Sequence, residues 1–582
     1  MVASMARSRR GRVALLSRHG RDPVASPSHH RENFVSASTC QHSFGIAGRS
    51  NERSIMIRPS RLPMLIAGTL LFAAPAFAQT KVEERSIGEL QSAMAKGTSS
   101  EAITRAYLAR IAAMDRAGPT LRAVIAINPD ALAQARASDA RRRAKKTLGP
   151  LDGVPILIKD NIETLDPVAT TAGSLALKDN ITHRDAPVVA NLRAAGAVIL
   201  GKTNLSEWAN IRSTSSMSGW SGIGGLVRNP YALDRTSCGS SSGSGAAIAA
   251  SFAAAALGTE TDGSVVCPSS MNGLVGLKPT VGLVSRTYVV PISHSQDTPG
   301  PMARSVRDVA LLFSGMVGVD AADPATANAA KYVRDYTKGL STAALKGVRV
   351  AVLRPDMPKA MKLVYDAALA DLKQAGAILI EVEQPKAEGM GDAEFDVLKT
   401  ELKADLDTYL ASTPATVKTR TLDQVIAFDT AHSATEMPFF GQELFVMAAK
   451  TKGLSDAEYL GSRAKSLRLA GAEGIDAMLK TAKATILVEP TVGLPWLSDS
   501  VSGDHSGGPS ASDLPAIAGY PHLTVPMGLV KGLPVGLSFI ATAYDDQKAL
   551  EAGYAYEQVS KKRAAPRYLP VADAGPGLDG VR

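Results

Sequence analysis

The sequence predicts an α/β protein: one large domain with a parallel or mixed sheet. Three observations predict it. Segments with apolar residues at helical spacing alternate with short, continuously apolar runs of strand type. No repeat, low-complexity tract or linker divides that alternation. The composition is that of a folded protein, with 45% hydrophobic and 20% charged residues among 582, which excludes wholesale disorder.

The formal net charge of +9 invites a nucleic-acid partner, so its location decides. Residues 1–55 hold nine Arg, no Lys and three acids, and show no apolar period of either type. Met56 then opens a second pattern: Arg58 and Arg61, an apolar stretch over 64–72, and Ala76-Phe77-Ala78. This has the form of a secretory signal peptide, its 64–78 run being too short to span a membrane. Residues 1–55 are then expected to be a disordered extension upstream of the true start, 56–78 the signal, and 79–582 the mature domain, periplasmic or secreted. That mature part is close to neutral, so no nucleic acid is expected, nor stable membrane insertion. Three cysteines in the whole chain exclude a disulfide scaffold and a multi-Cys zinc ribbon.

Along the mature chain, Thr98-Ser99-Ser100-Glu101 fits a capping box, and Ile103, Tyr107, Ile111 and Met114 continue it as an amphipathic helix. A second helix is expected over 129–146, its Arg141-Arg142-Arg143 run being a solvated helix end. Residues 154–158 read as a strand with Lys159 at its exit, and 197–201 as another before Lys202. A Ser/Gly-dense loop fills 212–245, an Ala-rich buried helix 246–257, and a further loop 258–273. Strands are expected at 348–353, 486–488 and 535–540, a mainly helical stretch over 355–480, and a closing helix at 550–558. Residues 400–460 are expected to shape a pocket.

Two of the loops carry chemistry. Cys238-Gly239-Ser240-Ser241-Ser242-Gly243-Ser244-Gly245 precedes a helix and offers backbone N–H groups, but lacks the ending of a P-loop. Its Gly239-x-Ser241-x-Gly243 is formally a nucleophile elbow, yet Asn229-Pro230 and Asp234-Arg235 lead into it as loop rather than strand. Gly258-Thr259-Glu260-Thr261-Asp262-Gly263-Ser264 could set an oxyanion hole beside Ser264. Taken singly, Lys159 is a strand end and Ser264 a turn serine. The histidines show no metal-ligand spacing, and no metal or other cofactor is expected. Cys238 and Cys267 flank these loops, as small packing residues or as a bridge.

Together these segments resemble the amidase signature family, with wording similar to its bacterial peptide amidases. The resemblance rests on Ile158-Lys159-Asp160-Asn161, on Ser240 in the Gly/Ser block, and on Ser264 standing 24 residues beyond it. It extends through Gly201-Lys202-Thr203-Asn204, Gly276-Leu277-Lys278-Pro279-Thr280, Gln296-Asp297-Thr298-Pro299-Gly300-Pro301-Met302, Thr524-Val525-Pro526-Met527-Gly528 and Gly532-Leu533-Pro534-Val535-Gly536. It implies a single large domain with a mixed β-sheet core covered by helices. It also implies a catalytic set of Ser264 as nucleophile, Ser240, after a cis peptide, as proton relay, and Lys159 as base. Thr261, Asp262, Gly263 and Ser241 would serve the oxyanion and substrate.

The chemistry is coherent on its own terms. A serine attacking an amide needs a base, and a lysine of ordinary pKa ~10.4 serves only where burial favours its neutral form. One departure bears on substrate. Amidotransferase-type members usually carry Arg just after the nucleophile-Ser-Ile pair, where this chain has Val265-Val266. The expectation is a monomeric amidase acting on a small-molecule or peptide amide, foremost the C-terminal amide of peptides. The alternatives are an amidase for aryl, fatty-acyl or other small amides, and a non-catalytic subunit of amidotransferase type.

Overall fold

The computed structural model describes residues 80–572. The signal-peptide pattern and the Arg-rich segment lie outside those residues. Eleven strands form one sheet: β1 (Val124–Ile127), β2 (Pro155–Lys159), β3 (Val198–Thr203), β4 (Ala255–Glu260), β5 (Val275–Lys278), β6 (Thr298–Ala303), β7 (Arg349–Leu353), β8 (Ile378–Val382), β9 (Ile486–Pro490), β10 (His522–Val530) and β11 (Leu533–Ile540). Their order is β1-β3-β2-β4-β6-β5-β10-β11-β9-β7-β8. β2 pairs parallel with β3 and β4, and β7 with β8 and β9, while the strands between β4 and β9 join antiparallel. The sheet is therefore mixed and the fold α/β, with helices packed against it. Among the described residues no helix is long and apolar enough to cross a membrane.

The first long helix is Ser100–Met114, but its N-cap is Ser99, whose hydroxyl accepts from the Ala102 N–H. The full capping box lies earlier, between Ser86 and Glu89. The expected helix over 246–257 is a correction. Helix α1 runs only over Ser242–Ala249, the chain breaks at Ser251 with φ +57°, and Ala255 onward is β4. β4 is buried on both faces between β2 and β6, so it shows no alternation, and its alanines match a helix as well as a strand. The loop expected over 258–273 likewise gives way to the end of β4 and helix α2 (Val266–Met271). β6 holds Pro299 and Pro301. They stand two apart, so the missing N–H groups fall on one side of the strand and the other side keeps its pairing.

This topology builds the site. β2 and β4 are parallel neighbours, so Lys159 and Glu260 end at the same edge of the sheet. α1 begins at that edge too, since it leads from the Ser240 loop towards β4. Ligand crevices in α/β sheets form outside the carboxyl ends of such strands.

Candidate active site

Lys159 is fully buried at the end of β2. Its Nζ lies 2.7 Å from Ser240 Oγ, 2.8 Å from Thr259 Oγ1 and 3.2 Å from the Thr259 carbonyl. An ammonium donates to all three. A neutral amine has two N–H groups and one lone pair, so one hydroxyl must then turn and donate to it. Burial pushes Lys159 down to about 7, with the charges of Asp297 and Glu260 acting the other way. Its hydrogen-bond partners are hydroxyls and a carbonyl, with no carboxylate among them. The equally buried Lys202 differs, since it pairs with Asp160 at 3.1 Å and donates to Thr170 Oγ1.

Ser240 follows a cis peptide bond from Gly239. Its loop is tied to the nucleophile turn through the Ser241 N–H, which donates to the Ser264 carbonyl at 3.2 Å. The Ser241 hydroxyl meets the backbone N–H and carbonyl of Thr259, so this residue supports β4 and lies away from the cavity wall.

Ser264 sits on the turn between β4 and α2. Gly263 takes a positive φ of +81°, which reverses the chain there. Glu260, the last residue of β4, accepts from the N–H groups of Val265 and Val266 at 2.7 and 2.9 Å. One carboxylate thereby clamps the strand end to the helix start, and Ser264 is held between them. Thr261, Asp262, Gly263 and Ser264 line a cavity of about 300 Å³, as does Gly239.

The rest of that cavity comes from segments far along the chain. From the helical region only Leu398 reaches the wall, and the described residues of 400–460 do not. Instead the far wall is Thr491, Val492, Trp496 and residues 506–510, a loop secured by Asp504. The Asp504 carboxylate accepts from the Ser218 N–H and hydroxyl and from the Trp496 indole. The sequence signal was present in the Gly/Ser content of this loop, but nothing local places it opposite Ser264. Residues 400–460 pack instead behind Trp208 and Ile292.

Among the described residues, the wall carries Asp262, Asp504 and Asp513 and no Lys, Arg or His. Burial raises Asp262 well above the usual carboxylate range, and the neighbouring Glu394 and Asp513 charges add to it. A substrate carboxylate would find no cationic side chain on this wall to pair with. Thr259, Asn161 and Asp297 complete the surroundings of Lys159. Asn161 donates to Thr259 Oγ1 at 2.9 Å, and Thr261 Oγ1 donates to Asp297 at 2.5 Å. Away from the cavity, His294 lies 2.9 Å from Asp405 and 3.5 Å from Glu401. Glu401 is buried and already accepts from the hydroxyls of Ser293, Ser295 and Tyr459, so the trio is a structural hydrogen-bond network.

Comparison with known proteins bears on this geometry. The family model described as Amidase matches residues 102–550. The crystal structure of the peptide amidase from Stenotrophomonas maltophilia is 48% identical, with a TM-score of 0.80 over 84% of this chain and 99% of that one. An Arabidopsis thaliana protein named as a probable amidase is 37% identical over 500 residues, 84% of this chain and 92% of its own. One subunit of a glutamyl-tRNA(Gln) amidotransferase from Synechococcus is 34% identical over 500 residues, covering 83% of this chain and 94% of its own.

Proposed function

From the premise that this chain belongs to the amidase family and is an amide hydrolase, we propose that it removes the C-terminal amide of peptides through an acyl-enzyme on Ser264. The observation that carries the mechanism is Lys159 Nζ, buried, 2.7 Å from Ser240 Oγ and bonded to no carboxylate. Neutral Lys159 takes the Ser240 proton as Ser240 takes the proton of Ser264, and Ser264 Oγ attacks the amide carbon. Backbone N–H groups on the turn of Thr261, Asp262, Gly263 and Ser264 face the developing oxyanion, an effect worth about 3–4 kcal/mol per donor in other enzymes. The proton returns through the same relay to the leaving nitrogen, and ammonia departs. Water, activated by the reverse transfer, then releases the acid. With no cationic side chain on the wall to hold it, that carboxylate is free to leave.

The peptide substrate is supported by the 48% identity to a peptide amidase, and by Val265-Val266 with a cation-free wall in place of a carboxylate-binding Arg. The expected compartment is the periplasm or outside the cell, to which the Cys238–Cys267 disulfide is suited. The test is a panel of peptide amides, anilides and fatty-acyl amides offered to residues 79–582. Turnover of peptide amides, lost in Ser264→Ala, is expected. Turnover of anilides alone would replace the substrate class, and full activity of Ser264→Ala would overturn the mechanism.

A further inference from the structure

Cys238 and Cys267 are joined by a disulfide, and its position is more informative than its presence. Cys238 immediately precedes Gly239 and the proposed relay Ser240. Cys267 lies in the first turn of α2, three residues after Ser264, with its N–H donating to the Gly263 carbonyl at 2.8 Å. The bond therefore links, across 29 residues, the two segments that must hold relay and nucleophile in register. Hydrogen bonds also join these segments. One is the Ser241 N–H to the Ser264 carbonyl, and another the Asn272 side chain to the Ser237 carbonyl at 3.1 Å. The Cys238 carbonyl in turn accepts from Ser242 Oγ, the first residue of α1, so displacement of Cys238 reaches the helix start.

Both cysteines also line the cavity, beside Gly239, Gly263 and Ser264. Met271 packs on the pair, as do Val492 and Trp496, which line the same cavity. Both cysteines are otherwise buried, so the cavity is the route by which a reductant would reach their bond.

We propose that the Cys238–Cys267 disulfide is a positioning element of the reaction: closed, it holds Ser240 against Ser264; opened from the cavity by a dithiol, it lets them part. This rests on the assignment of those two serines. A thiolate of the dithiol attacks one sulfur and expels the other as a cysteine thiolate. The second thiol of the reductant then closes on the mixed disulfide and frees the first cysteine. Two electrons pass from the dithiol to the protein, the cysteine thiolates take up two protons, and the reductant leaves as a cyclic disulfide.

The experiment uses the intact chain purified without reductant. It measures kcat and KM on a peptide amide before dithiothreitol, after it, and after reoxidation, with thiols titrated at each stage. Two additional thiols should appear, kcat should fall by roughly tenfold or more with KM changing less than twofold, and reoxidation should restore it, because small misplacement of reacting groups costs rate steeply. The double variant C238S/C267S should start at the low kcat and ignore dithiothreitol. Unchanged kcat after two thiols have appeared overturns the inference, and so does a bond that native-state dithiothreitol cannot open. An oxidised enzyme inactive on every amide would instead overturn the function it rests on.

Discussion

Asp297→Asn is expected to raise activity at pH 6, relative to the variant's own plateau. The carboxylate accepts from Thr261 Oγ1 on one oxygen and from the N–H groups of Ile292 and Ser293 on the other. Asparagine can keep all three, its oxygen taking the two backbone donors and its amide donating to the Thr261 hydroxyl. What it removes is charge. Burial pushes Asp297 up to about 6, with the Thr261 hydroxyl and the two N–H groups opposing, so it is mostly ionised at pH 7. That charge acts with Glu260 to raise Lys159, which burial brings to about 7. The base works only when neutral, so the rate rises with pH through that value. At pH 6 about 9% of Lys159 is neutral where Asp297 is ionised. An opposite charge at close range typically shifts a pKa by about one unit or more. Losing it by about one unit would make roughly half of Lys159 neutral at pH 6; Asp297 is itself about half protonated there, so the unaltered protein already averages about 30% and the gain is about twofold, with little change at pH 9. The assay is the kcat profile on a peptide amide from pH 5 to 9 for both proteins. An acid limb that stays in place or moves to higher pH would refute the coupling of Asp297 to Lys159.

Other perturbations separate chemistry from scaffold. Lys159→Met should fold normally but lose about 10²–10⁴ in kcat, the usual worth of a positioned base, as steady-state kinetics would show. Lys202→Met should do the converse, leaving the Asp160 carboxylate buried without its 3.1 Å partner at a cost of about 3–5 kcal/mol, read as a lower denaturant midpoint. Gly243→Ala drives a methyl into the carbonyls of Ala123 and Asn204, so thermal unfolding should begin at lower temperature and activity should fall with it.

Legibility in the sequence followed the physics of each element. Helices such as Ser100–Met114 and Ala131–Arg143 were visible because one face is buried and the other wet, which imposes a period. The outer parallel strands β2, β3 and β7 were visible as apolar runs. β4 and β6 were not, one being Ala-rich and the other interrupted by two prolines, although both lie in the middle of the sheet. Their residues are small where α1 packs against this region. Gly258 shows how closely, since a methyl there would stand 2.7 Å from Ser241 Oγ.

The sequence by itself determined the fold class, the reaction class, and which lysine and serines to examine. Those are carried by residue types at defined spacing, and spacing survives in one dimension. Only the tertiary structure decided what surrounds them. Thr259 and Asp297 act on Lys159 from two other segments, and the far wall of the cavity arrives from residues 491–513 rather than 400–460. It also decided that Cys238 and Cys267 are bonded, and that Lys159, unlike Lys202, has only hydroxyls and a carbonyl to bond. A lysine's charge depends on burial and on neighbours far away along the chain, and no local pattern records either.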